Sequence, residues 1–145
     1  MKVLNRSFVL MMLFLIFCVM CLPIVATAEM EATVDREVPV KYQYIYGIRC
    51  ELSIGGEAAS INSYVRGTNG STTKCEIELK LQKKFMFWWT TVETWNKTAL
   101  SYQTSLNATH SVESGKTYRA VAVCTVWNGS SSETATAMSA AVEAP

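Results

Sequence analysis

The sequence contains few of the groups on which catalysis and nucleic-acid binding depend. Its 145 residues include one histidine, His110, and one aspartate, Asp35. Acid–base and nucleophilic chemistry relies on such side chains, so we expect neither an enzyme active site nor a cofactor. The 13 basic residues are balanced by 12 acidic ones, and the longest basic cluster is Lys83-Lys84. A nucleic-acid partner is therefore not expected, because no positive field is available for phosphates.

Long hydrophobic runs are absent except at the start of the sequence. A basic beginning precedes residues 8–22, all of which are apolar, and Ala26 and Ala28 supply the small side chains of a signal-peptidase site. This order predicts a signal peptide at residues 1–28 and a secreted, extracellular protein. The alternative is an uncleaved anchor, because the apolar run with its continuation to Val25 is about long enough to span a bilayer.

Apolar and polar residues alternate in the remainder of the chain, after a predicted irregular segment at residues 29–43. The alternation is clearest between Lys74 and Leu81, where every second residue is apolar. A period of two indicates a strand with one buried face, whereas a helix would scatter these apolar residues around its surface.

Six further segments have strand character, and glycine-containing turns such as Gly55-Gly56 and Asn128-Gly129 separate several of them. No segment has a helical period. The sequence therefore predicts an all-β, antiparallel, seven-stranded β-sandwich over residues 44–145. The other predicted strands lie near residues 44–54, 59–65, 88–95, 100–112, 117–127 and 134–142.

Three segments, at residues 79–84, 89–95 and 115–123, resemble small secreted proteins of Gram-positive bacteria. That family has a single immunoglobulin-like or fibronectin-III-like domain and no assigned activity. The resemblance implies that Tyr118 is the tyrosine whose hydroxyl ties a corner near the sixth strand. The link between the third and fourth strands is usually polar and glycine-rich in the family. Here it is Phe85-Met86-Phe87-Trp88.

This aromatic run, residues 85–89, is the leading candidate for a functional site. Neighbouring residues of a strand face opposite sides, so five large apolar residues in a row cannot all enter one core. In one interpretation, Phe85, Met86, Phe87 and Trp88 form an exposed binding surface at a hairpin tip. In the other, the run caps the end of the sandwich and lies along the neighbouring sheet.

The sequence therefore predicts a non-catalytic binding or surface-interaction module. Its partner would be a protein, a cell wall or a membrane surface, and Lys83 and Lys84 would suit an anionic lipid or an acidic partner. A homodimer through the same run is a further expectation. The alternative is a membrane-active or toxin-like protein that uses the same hairpin.

Three cysteines after the predicted signal peptide, Cys50, Cys75 and Cys124, all have the apolar parity of their strands. We expect them to lie close together, which permits one disulfide, either Cys75–Cys124 or Cys50–Cys75. The alternative is three buried, reduced thiols.

No metal site is expected, because the spacings do not resemble zinc motifs. His110 has no neighbouring ligand or carboxylate and is expected on a solvent-facing strand or turn.

Overall fold

The computed structural model describes residues 42–145, which form an all-β unit with antiparallel sheets. The predicted signal peptide and all but the last two residues of the predicted irregular segment lie outside this part. The strands are β1 (Ile45–Gly55), β2 (Ala58–Gly67), β3 (Lys74–Phe85), β4 (Trp88–Ala99), β5 (Gln103–Ser111), β6 (Thr117–Asn128), β7 (Ser131–Met138) and β8 (Val142–Glu143). No described helix is long and apolar enough to cross a membrane.

The strands form two sheets that enclose one apolar cluster. The first sheet has the order β1-β2-β5, and the second has the order β4-β3-β6-β7, with β8 paired to the start of β6. The buried side chains of both sheets belong to a single cluster. This arrangement is consistent with the predicted β-sandwich.

The interior side of the second sheet follows the alternation of the sequence. Every second residue is buried from Cys75 to Leu81 in β3 and from Tyr118 to Val126 in β6, while the residues between them are at least partly exposed. Because β3 is paired on both of its edges, by β4 and β6, its register is fixed along most of its length. The interior residues of these two strands are Cys75, Ile77, Leu79, Leu81, Tyr118, Ala120, Ala122, Cys124 and Val126.

The seventh predicted strand, residues 134–142, is divided in the structure into β7 and β8. Ser139 interrupts the ladder: its backbone N–H donates to the carbonyl of Ala120, and its side-chain oxygen accepts the N–H of Ala120 at 2.9 Å. The Ser139 side chain thus replaces a backbone acceptor. Beyond it, β8 pairs with β6 in a register shifted by one residue from that of β7. Hydrophobic alternation carries no signal for such a substitution.

Tyr118 ties the corner between β5 and β6, as the resemblance implies. Its side chain is buried, and its hydroxyl accepts a hydrogen bond from the backbone N–H of Glu113 at 3.0 Å. The contact spans the turn that leads into β6, so it fixes the approach of that central strand.

We predict that Tyr118→Phe lowers the free energy of unfolding by about 1–2 kcal/mol, because the N–H of Glu113 loses its acceptor. Tyr64→Phe is the matched control, since the exposed Tyr64 hydroxyl donates only to Gln103 at 3.3 Å. Urea unfolding followed by circular dichroism measures both variants. Equal stability losses would contradict a specific role for the Tyr118 hydroxyl.

The carboxylate of Glu133 in β7 binds the backbone at the start of β1. Its oxygens accept the backbone N–H groups of Gln43 at 2.7 Å, Tyr44 at 2.6 Å and Ile45 at 3.2 Å. Partial burial raises the pKa of Glu133, but the three hydrogen bonds outweigh it, and the net pKa lies below the ordinary 4.5. This contact joins an edge of one sheet to an edge of the other.

The lowered pKa of Glu133 predicts a pH-dependent stability. The contribution is fully present above the ordinary pKa of 4.5 and is lost as the pH falls through the lowered folded value. Glu133→Gln should lower the free energy of unfolding by about 1 kcal/mol at neutral pH, a figure discounted for solvent screening. The difference from wild type should shrink in acid. Urea unfolding that shows the same difference at both pH values would contradict this.

Candidate functional site

The residues of the aromatic run form the hairpin that joins β3 to β4. Phe85 ends β3 and Trp88 begins β4, and the two are paired across the ladder with their ring centroids 5.6 Å apart. Only Met86 and Phe87 lie beyond that pair. We call Phe85, Met86, Phe87 and Trp88 the aromatic tip.

The turn of the aromatic tip has an unusual residue at its first position. Met86 has a φ of 53°, and it is the only described residue other than glycine with a positive φ. A two-residue hairpin with positive φ at its first position is normally built with glycine, because a Cβ is disfavoured there. The chain thus has a long apolar side chain at a position where local geometry favours none.

All four side chains of the aromatic tip are exposed. The exposed fractions are 55% for Phe85, 65% for Met86, 90% for Phe87 and 55% for Trp88. The four residues therefore lie exposed at a hairpin tip and do not cap the sandwich, while partner binding at this tip stays a prediction. Trp89, the last residue of the run, is half-buried and does not belong to the tip.

Strand β3 extends beyond the apolar core, which explains why the aromatic tip is exposed. Lys83 and Phe85 have the same strand parity as buried Leu81, yet the core ends before them. Lys83 is the next residue of interior parity after Leu81, and its ammonium donates a hydrogen bond to the Glu113 carboxylate at 2.7 Å. The apolar core therefore ends at Leu81. Glu113 raises the pKa of Lys83 by this hydrogen bond, and the pKa of Glu113 falls in return.

Trp89 lies on the opposite, outer face of the sheet. The guanidinium of Arg119 in β6 is 4.3 Å from the centroid of its ring. Arg119 also donates from Nε to the side-chain oxygen of Gln82 in β3 at 2.8 Å. These contacts connect the base of the hairpin to the two central strands, β3 and β6, and so stabilise the part of the hairpin next to the aromatic tip.

The three cysteines are buried free thiols, so neither predicted disulfide is present. In the ladder Cys75 lies opposite Val126, two residues from Cys124. Such diagonal neighbours are about 7–8 Å apart, whereas disulfide Cβ atoms are about 3.5–4.5 Å apart. Cys50 belongs to the other sheet. The structure agrees with the alternative of three buried, reduced thiols.

The environment of the thiols makes them poor nucleophiles. Burial raises the pKa of Cys50 to about 12 and that of Cys124 to about 12. Charge on Cys50 or Cys75 would raise the pKa of Cys124 further, which agrees with the expectation that the three lie close together. Among residues 42–145, no group of three or more histidine, cysteine, aspartate or glutamate side chains could hold a metal ion.

His110 differs from the sequence expectation of a solvent-facing residue. It is half-buried, and its ring packs edge-on against Trp95 of β4, with the centroids 6.2 Å apart. The two residues lie on facing edges of the two sheets, so the contact helps to close the side of the fold. No sequence pattern predicts this contact, because β4 and β5 are adjacent in the chain but belong to different sheets.

We predict that Ellman's reagent reacts with none of the three thiols in a folded chain that begins at Glu29 and with all of them after unfolding. Intact mass should be the same with and without reductant, since the thiols are free. A mass gain on reduction would reveal a disulfide and contradict the structure. Rapid labelling of the folded chain would contradict the burial of the thiols.

Neither a protein-family model, nor a curated protein, nor a solved structure matches this chain.

Proposed function

We propose that this chain is a secreted, non-catalytic binding module with an immunoglobulin-like, fibronectin-III-like domain. It contacts a partner at the cell surface through the aromatic tip. The observation that carries the proposal is the exposure of four consecutive large apolar side chains on one hairpin. Large exposed apolar patches on otherwise polar surfaces mark interaction sites.

The fibronectin-III-like assignment is supported by the distribution of the strands. The first, second and fifth strands form one sheet, and the third, sixth and seventh belong to the other. The fourth strand pairs with the third instead of joining the smaller sheet, as in fibronectin-III-like domains. The hydrogen bond from the Glu113 N–H to the Tyr118 hydroxyl is a second supporting feature.

The non-catalytic role is supported by the state of the reactive side chains. The thiols of the described residues are buried, and the pKa of each is raised. The imidazole of His110 packs on a tryptophan ring. Secretion is supported by the sequence pattern of residues 1–28, with its basic start, apolar run and small residues before the cleavage point.

Retention on envelope from the producing cell tests the proposal. We expect the chain from Glu29 onward to be retained, and Phe87→Ser/Trp88→Ser to reduce retention at least tenfold, which is about the effect of losing one binding hot spot. The matched control is Tyr46→Ser/Leu100→Ser. It removes two residues that are 70% and 87% exposed at the opposite end of the strands.

The control should be retained like wild type, and circular dichroism should show the same fold for all three proteins. Equal retention of wild type and the tip variant would contradict the proposal. Equal losses in the tip variant and the control would contradict a site confined to the hairpin.

A further inference from the structure

The size of the aromatic tip restricts the kinds of partner that can recognise it. If each large side chain offers about 200 Å², the exposed fractions leave roughly 500 Å² of apolar surface. A standard protein–protein interface buries about 800 Å² on each partner. The tip alone is therefore too small for a stable interface with a protein or a second copy of this chain. A fluid apolar phase requires no complementary partner surface.

The backbone of the aromatic tip has few unpaired hydrogen-bonding groups, which favours its transfer from water into an apolar phase. Phe85 and Trp88 remain in the β3–β4 ladder, and only Met86 and Phe87 extend past it. Unpaired backbone groups are costly in hydrocarbon, so a two-residue turn keeps that cost low. Because the two turn residues lie side by side, the backbone extends only about 3.3 Å, one strand rise, beyond its last pair, and the side chains of the tip reach a few ångströms farther. That depth corresponds to the headgroup–acyl boundary.

The charges at this end of the fold are nearly balanced. Lys83 forms an ion pair with Glu113. The exposed basic residues Lys84 and Lys116 are matched in number by two exposed acidic residues, Glu57 after β1 and Glu143 in β8. Arg119 is engaged with Trp89 and Gln82. Strong electrostatic recognition is therefore not available, and apolar transfer must supply the attraction.

The composition of the tip fits an interface between water and lipid. Phenylalanine and methionine at the apex are fully apolar, while Trp88 at the base combines a large apolar ring with one N–H donor. Tryptophan is enriched at this level of membranes. The long side chain of Met86, kept despite its positive φ, adds apolar surface at the apex.

We propose that the partner of the aromatic tip is the interfacial region of a lipid bilayer, into which the tip inserts without crossing. This inference rests on the proposed function and names the chemistry of its partner. It differs from a lytic role, because the reach of the hairpin is a fraction of the roughly 30 Å hydrocarbon core.

Co-sedimentation with phosphatidylcholine vesicles tests the inference. Wild type should partition into neutral vesicles, and added phosphatidylglycerol should strengthen binding by no more than about fivefold, the effect of one basic residue. Phe87→Ser/Trp88→Ser should weaken partitioning about a hundredfold, because two large apolar contacts are lost. Tyr46→Ser/Leu100→Ser should partition like wild type.

Met86→Gly separates binding from folding, because glycine accepts the positive φ of the turn. We expect it to unfold at the same or a higher urea concentration and yet to partition at least threefold more weakly, since the side chain is gone. Unchanged partitioning of both tip variants would overturn the inference.

Two other results would also overturn the inference. Release of a trapped dye by wild type would indicate a membrane-active, toxin-like protein. Absence of vesicle binding, with envelope retention that still depends on Phe87 and Trp88, would identify a protein or cell-wall partner and leave the proposed function standing. If envelope retention were also independent of these residues, both proposals would fail.

Discussion

The structure depends on the antiparallel ladder between β3 and β6, whose interior side chains fill the space between the sheets. Because both strands are flanked by neighbours over most of their length, their register cannot shift without moving every interior residue to the outside. That register places Lys83 opposite Tyr118, at the point where the buried residues end. The position of the aromatic tip follows from it, since Phe85 is two residues farther along the same strand.

Polar contacts close the end of the core, and this frees the tip for another role. The pair of Lys83 and Glu113 and the hydrogen bond to the Tyr118 hydroxyl lie between the interior and the hairpin. An apolar residue at position 83 would have extended the core toward Phe85. With a lysine there, the four tip side chains contribute little to the core, so the proposed binding can be tested separately from stability.

The sequence predicted the strands apart from the division between β7 and β8, and it predicted the buried faces of β3 and β6, because alternation is read directly from side-chain type. It did not predict which strands pair across the chain or where a strand passes the end of the core. The aromatic tip is an example. Phe85 has the parity of the buried residues of β3, yet its side chain is exposed because the apolar core ends before Lys83. Ser139 and Glu133 were missed for another reason, since each acts by accepting backbone N–H groups that no hydrophobic pattern reveals.

Amide hydrogen exchange, measured with and without phosphatidylcholine vesicles, identifies the part of the chain that contacts lipid. We predict that vesicles slow exchange within residues 84–89, while the β3–β6 ladder and the far ends of the strands exchange as in the free protein. Slower exchange on a sheet face or at the opposite end, with residues 84–89 unaffected, would contradict it.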